Sequence, residues 1–321
     1  MPEHETIKFI NSFPDPTGTR FDRDQWLLDH GQANVILNCK AKNIYYPDHW
    51  TPLSLKCAFK GKEFYQSGKA IQYAGEDSFL IYNEGKEYSS FISSDTEVES
   101  FTINFSPNFV NHAMNAFFSK AEKNIDEPTG DPAKKMMPFF ERAYPYDAGI
   151  RRQIFTIKQH TLAFEQHKEQ INESLFSLLA SLIQMQGSIK GEVENLEAVK
   201  KATREELYKR LYLVKDLIDA AYQDNITLET LSAAALINPC YLLRLFKSYF
   251  NITPHQYITA RRIDAAKKLL LTGGLPVAEI CNSVGFADLS SFSKLFKRET
   301  GLSPVKYAAI NSGAKKSLRR D

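Results

Sequence analysis

One stretch of this chain occurs twice. Residues 241–257, YLLRLFKSYFNITPHQY, are followed fifty positions later by residues 291–307, SFSKLFKRETGLSPVKY. Five positions are identical between the copies: Leu245/Leu295, Phe246/Phe296, Lys247/Lys297, Pro254/Pro304 and Tyr257/Tyr307. A repeat of this kind indicates that one structural unit is built twice within a domain.

Each copy follows a shorter helical pattern, LETLSAAALI before the first and VAEICNSV before the second. The short patterns align at an offset of 49 residues and the longer ones at 50, so the second turn has gained one residue. A short helix, a tight turn and a second helix form the helix-turn-helix arrangement. We expect Thr227 to cap the first short helix and Asp288 to cap the second long one.

Between the copies, QYITARRIDAAKKLLL predicts one unbroken amphipathic helix. From Ile258 to Leu271 it would be about 21 Å long at 1.5 Å per residue. Two recognition helices held by such a rod can enter successive major grooves, about 34 Å apart, if the duplex bends to match.

Residues 205–309 resemble the DNA-binding domain of AraC/XylS-type transcription regulators, about one third of the chain. The resemblance rests on the linker-helix pattern RxxxAxxLL and the closing pattern GFxDxSxFxxxFKxxxGxSPxxY, carried here by Arg262, Ala266, Leu269, Leu270, Gly285, Phe286, Asp288, Ser290, Phe292, Phe296, Lys297, Gly301, Ser303, Pro304 and Tyr307. It implies sequence-specific regulation of transcription, and activation in particular, because the family mostly contains activators.

Three positions depart from the pattern. Leu236 stands where the second turn has Gly285, and a non-glycine residue in a left-handed turn costs about 1–2 kcal/mol, so we expect the first turn to differ in shape. Asn251 replaces the glycine found at Gly301, a mild change because Asn tolerates that conformation. Ala308 stands where the family often has a basic residue.

The spacing of apolar residues predicts which face of each recognition helix is buried, and the opposite face is then free to meet DNA. On that opposite face the resemblance places the base contacts, at Cys240, Leu243, Arg244, Leu289, Ser290, Ser291 and Lys294. The candidates for phosphate contacts are Thr227, Lys247, Thr253, Lys297 and Ser303.

Arg244 is the foremost candidate, because a guanidinium can bind O6 and N7 of guanine together; a phosphate contact is its alternative. Leu243 and Leu289 would contact thymine methyl groups or pack partially within the domain. We interpret Arg262 and Asp288 as structural, in an ion pair or a cap.

Charge separates the two parts of the chain. Residues 1–204 carry 23 Lys and Arg against 27 Asp and Glu, whereas residues 205–321 carry 17 against 11. The basic C-terminal part favours a polyanionic partner, although a difference of this size also arises by chance.

The region from about 33 to 106 alternates apolar and polar residues between Gly, Asp and Asn turn signals. This pattern predicts an antiparallel β sandwich or barrel, and therefore an α+β chain with an all-α C-terminal domain. The region resembles the cupin-like sensing and dimerisation domain that often precedes the AraC-type domain. His49 and Trp50 are candidates for an effector pocket.

The segment after the β-region is helical, and Leu175, Leu178, Leu179 and Leu182 form an apolar stripe. The stripe predicts either packing within the chain or a homodimer contact. We expect a β-rich domain with helices at 1–186, a linker at 187–204, the DNA-binding domain at 205–310 and a basic tail at 311–321.

The sequence lacks the motifs that are typical of several other classes of protein. No long apolar run or signal-peptide pattern is present, so we expect a cytoplasmic, nucleoid-associated protein without a membrane partner. The four cysteines are far apart and the histidines scattered, so we expect no metal, no cofactor and no enzyme. The expected partners are double-stranded DNA, a small-molecule effector, a second copy of the chain and, for an activator, RNA polymerase. An enzymatic β-domain fused to a DNA-binding domain and a ligand-independent architectural DNA binder are the alternatives.

Overall fold

The computed structural model describes residues 6–13, 32–68, 70–121, 138–194 and 201–309. These residues form two compact units, which divide between residues 209 and 210. The expected basic tail lies outside the described residues.

The first unit contains a sheet built from long strands. Among the described residues its strands are β1 (Ile7–Ile10), β2 (Asn34–Thr51), β3 (Ser54–Lys60), β4 (Lys62–Ser67), β5 (Ala70–Gly75), β6 (Ser78–Tyr82), β7 (Lys86–Asn104) and β8 (Ala143–Pro145). The strand order is β1-β2-β7-β3-β6-β5-β4, and β8 pairs with β6. Because β4 also pairs with β7, the sheet closes on itself. The predicted β-region is therefore a barrel, antiparallel apart from the β1–β2 pair.

Strand β7 is buried on both of its faces. Phe101 and Ile103 are fully buried on one face, as the apolar core requires. On the other face Ser100, Thr102 and Asn104 are also buried, although their side chains are polar. Because successive side chains of a strand point to opposite faces, β7 separates an apolar layer from a polar interior.

Helices follow the barrel, namely α1 (Pro107–Ala121), α2 (Ala148–Thr161) and α3 (Lys168–Glu194). The continuous helical pattern in the sequence is broken between α2 and α3 by a short 3₁₀ turn at Phe164–Gln166. Helix α3 continues through Gly187 and Gly191, where we expected a linker. Residues 195–200 of that linker lie outside the described residues, and the domain limits stay a prediction.

The leucine stripe of α3 faces the interior of its own unit. Leu175, Leu178 and Leu179 are fully buried and Leu182 is 1% exposed. Gln153 of α2 donates hydrogen bonds to the hydroxyls of Ser177 and Ser181 on α3, at 2.9 and 3.1 Å. The intramolecular alternative is therefore correct for this stripe, and a dimer contact would need a different surface.

The second unit is helical. Its elements among the described residues are the part of α4 (Lys201–Ala221) that follows residue 209, then α5 (Leu228–Ala235), α6 (Pro239–Phe250), α7 (Pro254–Thr272), α8 (Val277–Ser283), α9 (Leu289–Thr300) and a last helical segment at 304–309. Helices α5 and α6 form the first helix-turn-helix motif, and α8 and α9 form the second. Helix α7 between them has 19 residues, so it is about 28 Å long rather than the 21 Å we expected.

The duplicated residues form the same packing twice. In the first copy the ring of Phe246 lies 6.0 Å from the ring of Tyr257, and in the second copy Phe296 lies 5.3 Å from Tyr307. Both phenylalanines are fully buried. The repeated proline starts the following helix and directs the tyrosine back to the phenylalanine.

Helix α7 is joined to the end of α4 by polar contacts. Asp219 accepts hydrogen bonds from the hydroxyl of Tyr257 at 2.8 Å and forms ion pairs with Lys215 and Arg261. Arg262 donates to the backbone carbonyls of Tyr222 and Asp224, at 2.7 and 2.8 Å. Arg262 thus binds the carbonyl end of α4, which is a structural role of the kind we expected.

The two turns use the same backbone conformation with different residues. Leu236 adopts a left-handed conformation with φ of 53°, and Gly285 has φ of 89°. The expectation that the first turn differs in shape is therefore wrong with respect to handedness. Gly285 lies against another backbone segment, because a Cβ atom there would overlap the carbonyl oxygen of Gln223.

Replacing Gly285 by Ala should destabilise the second helix-turn-helix motif more than Gly301→Ala. Both glycines have positive φ, which costs an alanine about 1–2 kcal/mol, but the space at Gly301 is open. Hydrogen exchange of peptides from α9 in the full chain would compare the two variants. Equal loss of protection would contradict the close contact with Gln223.

Replacing Leu236 by Gly should leave the first motif unchanged or stabilise it by up to about 1 kcal/mol. The change relieves a left-handed residue and adds some chain entropy to the unfolded state. Little burial is lost, because Leu236 is 79% exposed. Hydrogen exchange of peptides from α5 and α6 would measure the effect, and a clear loss of protection would show that the side chain contributes to the fold.

Candidate functional site

The recognition helices α6 and α9 each bury one face and expose the other. Leu242, Leu245 and Phe246 of α6 are buried, as are Phe292 and Phe296 of α9. Leu295 is half-buried against the same cluster as Phe296. These positions agree with the apolar face predicted from the spacing, and they direct the remaining side chains to solvent.

All seven positions that the resemblance assigns to base contacts are exposed. They are Cys240, Leu243 and Arg244 on α6 and Leu289, Ser290, Ser291 and Lys294 on α9. Leu243 and Leu289 are 38% and 44% exposed, more than is usual for side chains that contribute to a core. Each helix therefore presents a mixed polar and apolar surface, and the base contacts themselves stay a prediction.

Side-chain caps fix the first turns of both recognition helices. Asn238 Oδ1 accepts a hydrogen bond from the backbone N–H of Cys240 at 3.0 Å, and Asp288 Oδ1 accepts one from Ser291 at 2.7 Å. The backbone hydrogen bond from Ser291 lowers the pKa of Asp288. The carboxylate at Asp288 is thus a cap, as predicted, and it fixes the N-terminal end of α9.

The candidates for phosphate contacts fall into two groups. The hydroxyls of Thr227, Thr253 and Ser303 accept hydrogen bonds from backbone N–H groups three residues on, at 3.2, 3.2 and 3.4 Å. These hydroxyls are therefore helix caps, and phosphate contacts at these positions stay a prediction. Lys247 and Lys297 are exposed at the last turns of α6 and α9.

The barrel encloses a cavity of about 140 Å³. His49 and Trp50, the two sequence candidates, both lie in its wall. The strand pairing shifts between Tyr46 and His49, and the ring of His49 lies 4.5 Å from the ring of Tyr88. The irregularity therefore turns an aromatic cluster toward the cavity, as bulges near binding sites commonly do.

The polar interior of this cavity was not predicted from the sequence. Its wall includes Lys56, Glu63, Ser90, Ser100, Thr102 and Asn104. Burial raises the pKa of Glu63, and hydrogen bonding with Ser100 and the charge of Lys56 act in the opposite direction. The available signal was the alternation in β7, where the polar residues Ser100, Thr102 and Asn104 alternate with Phe101 and Ile103.

The described residues contain no group of three or more His, Cys, Asp and Glu side chains arranged to hold a metal. In the same part of the chain no helix is long and apolar enough to cross a bilayer. Cys39 and Cys57 are buried, and burial raises the pKa of each thiol to about 12. Cys240 is the exposed member of the four free cysteines.

Comparison with known proteins places the similarity in the second unit. Residues 231–310 match the helix-turn-helix domain family. The chain is 36% identical over 97 residues to the protein named "Probable transcriptional regulator LumQ" of Photobacterium leiognathi, which is 30% of this chain and 39% of that protein. It is 34% identical over 99 residues to the "Bifunctional transcriptional activator/DNA repair enzyme AdaA" of Bacillus subtilis, 31% of this chain and 47% of that protein. The chain thus covers less than half the length of these relatives.

Among solved structures, one match is to a "probable AraC family transcriptional regulator" from Rhodopseudomonas palustris. It has 22% sequence identity and a TM-score of 0.31, and the match covers 32% of this chain and 96% of that one. The family match at residues 231–310 lies in the same part of the chain as the two capped helix-turn-helix motifs and the linker helix with Arg262. Residues 231–310 therefore belong to a helix-turn-helix domain, and this part of the chain is similar to the DNA-binding domains of AraC-type transcription regulators.

Proposed function

We propose that the whole chain is a sequence-specific transcription regulator that activates its targets in response to a small molecule. The observation that supports this proposal most directly is the pair of exposed recognition surfaces on α6 and α9, held by one helix within a single compact unit. Two such surfaces can contact two successive major grooves. The regulator would act in the cytoplasm at the nucleoid.

Electrostatics would bring this domain to DNA. Residues 205–321 carry six more basic than acidic residues, whereas the rest of the chain carries four more acidic ones. Exposed cations such as Lys247 and Lys297 release counterions when they neutralise phosphates, and this contribution is independent of sequence. Specificity would then come from the side chains that meet the base edges.

We assign the base contacts to the exposed faces described above. Arg244 would bind guanine through two hydrogen bonds, and Leu243 and Leu289 would contact thymine methyl groups. The serines and Lys294 of α9 would contact the second groove. The first turns of the helices that begin after Thr227, Thr253 and Ser303 would offer backbone N–H groups to phosphates.

The barrel would supply the response to a signal. A ligand in its cavity changes the activity of the DNA-binding unit only if it binds one state of the protein more tightly than another. We propose that the active regulator is a homodimer and that it contacts RNA polymerase. The regulator would have no enzymatic activity of its own.

Selection of genomic fragments on the full-length protein would test the proposed function. Sheared genomic DNA is bound at physiological salt in the presence of random competitor DNA, and the retained fragments are sequenced. We expect a motif with two short blocks about one helical turn apart. Salt-sensitive retention without a motif, both alone and with added metabolites, would instead indicate an architectural DNA binder.

Replacing Arg244 by Ala should weaken binding to the selected motif by about 5- to 150-fold, because a bidentate contact contributes about 1–3 kcal/mol. Binding to random DNA should change far less. Arg298→Ala is the matched control, since Arg298 is exposed on the same domain and pairs with Glu299 at 2.8 Å. Equal losses on both DNAs, measured by fluorescence anisotropy, would assign Arg244 to a phosphate.

A further inference from the structure

The cavity of the barrel contains one buried amino group and one buried carboxyl group. Lys56 is 5% exposed and Glu63 is 4% exposed, and both lie in the cavity wall. The Lys56 ammonium lies 5.2 Å from the centroid of the Tyr88 ring. Glu63 accepts a hydrogen bond from Ser100 Oγ. The positive charge of Lys56 acts against the rise in the pKa of Glu63 that burial causes.

This arrangement is costly for an empty, dry site. A charge removed from water destabilises the folded protein unless opposite charge and hydrogen bonds compensate for the loss. A ligand that brings a carboxylate to Lys56 and a positively charged donor to Glu63 would satisfy both groups at once. A neutral ligand would satisfy neither as fully.

A further buried acceptor, the side-chain oxygen of Asn104, lies in the cavity wall. Asn104 is 7% exposed, and its buried side-chain oxygen accepts no hydrogen bond from any residue that the structure describes. Buried polar atoms are almost always paired, with protein, water or ligand. A ligand with several N–H groups can donate to both Glu63 and Asn104.

The rest of the cavity suits a small apolar group. Tyr46, His49, Trp50 and Tyr88 form an aromatic wall beside the polar residues. A cavity needs roughly 10–15 Å³ to hold one water, so 140 Å³ has room for about ten non-hydrogen atoms. This is the size of a free amino acid with a medium or large side chain.

We propose that the barrel cavity binds a free amino acid, with its carboxylate at Lys56, its ammonium at Glu63 and Asn104, and its side chain against the aromatic wall. The role of this ligand as the effector rests on the proposed function, but its binding to the cavity does not. Binding itself can be measured without DNA.

Calorimetric titration of the full chain with the standard L-amino acids tests this proposal. At least one should bind, and its carboxamide and N-acetyl derivatives should each bind about 10- to 150-fold more weakly, because each loses a charged hydrogen bond. Simple sugars and the corresponding acids without an amino group should bind no better than these derivatives. Failure of every amino acid to bind, or equal binding of the blocked derivatives, would overturn the proposal.

Variants test the assignment of the two groups. Lys56→Met and Glu63→Gln should each weaken binding by a similar factor, whereas Lys60→Met and Glu97→Gln, exposed on β3 and β7, should not. Thermal unfolding verifies that each variant is folded. If Glu63→Gln does not fold, the N-acetyl derivative tests the same contact on the unmodified protein. This derivative lacks the ammonium group that is proposed to bind Glu63.

The DNA selection separates this inference from the proposed function. A selected motif together with no amino acid binding would leave the regulator intact and refute the ligand. Amino acid binding without a motif would support the ligand and refute sequence-specific regulation. An amino acid that both binds and changes affinity for the motif would identify it as the effector.

Discussion

In each helix-turn-helix motif, the burial of one phenylalanine determines which face of the recognition helix is exposed and where the following helix packs. Phe246 and Phe296 are fully buried and each contacts a tyrosine from the helix that follows. Because a helix has only one face for its core, this burial directs Arg244 on α6 and Lys294 on α9 to solvent. The same contacts hold the following helix in place, and in the first copy that helix is the link between the motifs.

Much of the second unit was predictable because the residues that start and end its helices are recognisable from short stretches of sequence. Thr227 and Asp288 are caps as the sequence predicts, and Asn251 adopts the left-handed conformation expected of the glycine it replaces. The turn at Leu236 was not predictable in the same way. Propensity disfavours leucine there, but its carbonyl accepts a hydrogen bond from Arg210 at 3.0 Å, and such a tertiary contact leaves no local pattern in the sequence.

In the first unit the class of structure was predictable, but the connections were not. The alternating strands indicated a sandwich or a barrel, and only the pairing of β4 with β7 decides between them. The stripe at Leu175 fitted two alternatives, because an apolar helix face looks the same whether its partner is in the same chain or another. Lys56 and Glu63 were missed because isolated charges in a strand usually face solvent.

Strand β7 couples the core of the barrel to its cavity. Phe101 and Ile103 complete the core on one side of the strand, and Ser100, Thr102 and Asn104 line the interior on the other. A slip of one residue in the pairing with β2 or β3 would exchange these two faces, so that apolar side chains would enter the cavity and polar side chains would enter the core. A barrel in which β7 had slipped by one residue would therefore lose its cavity. A molecule that binds in the cavity would favour the correctly paired sheet during folding.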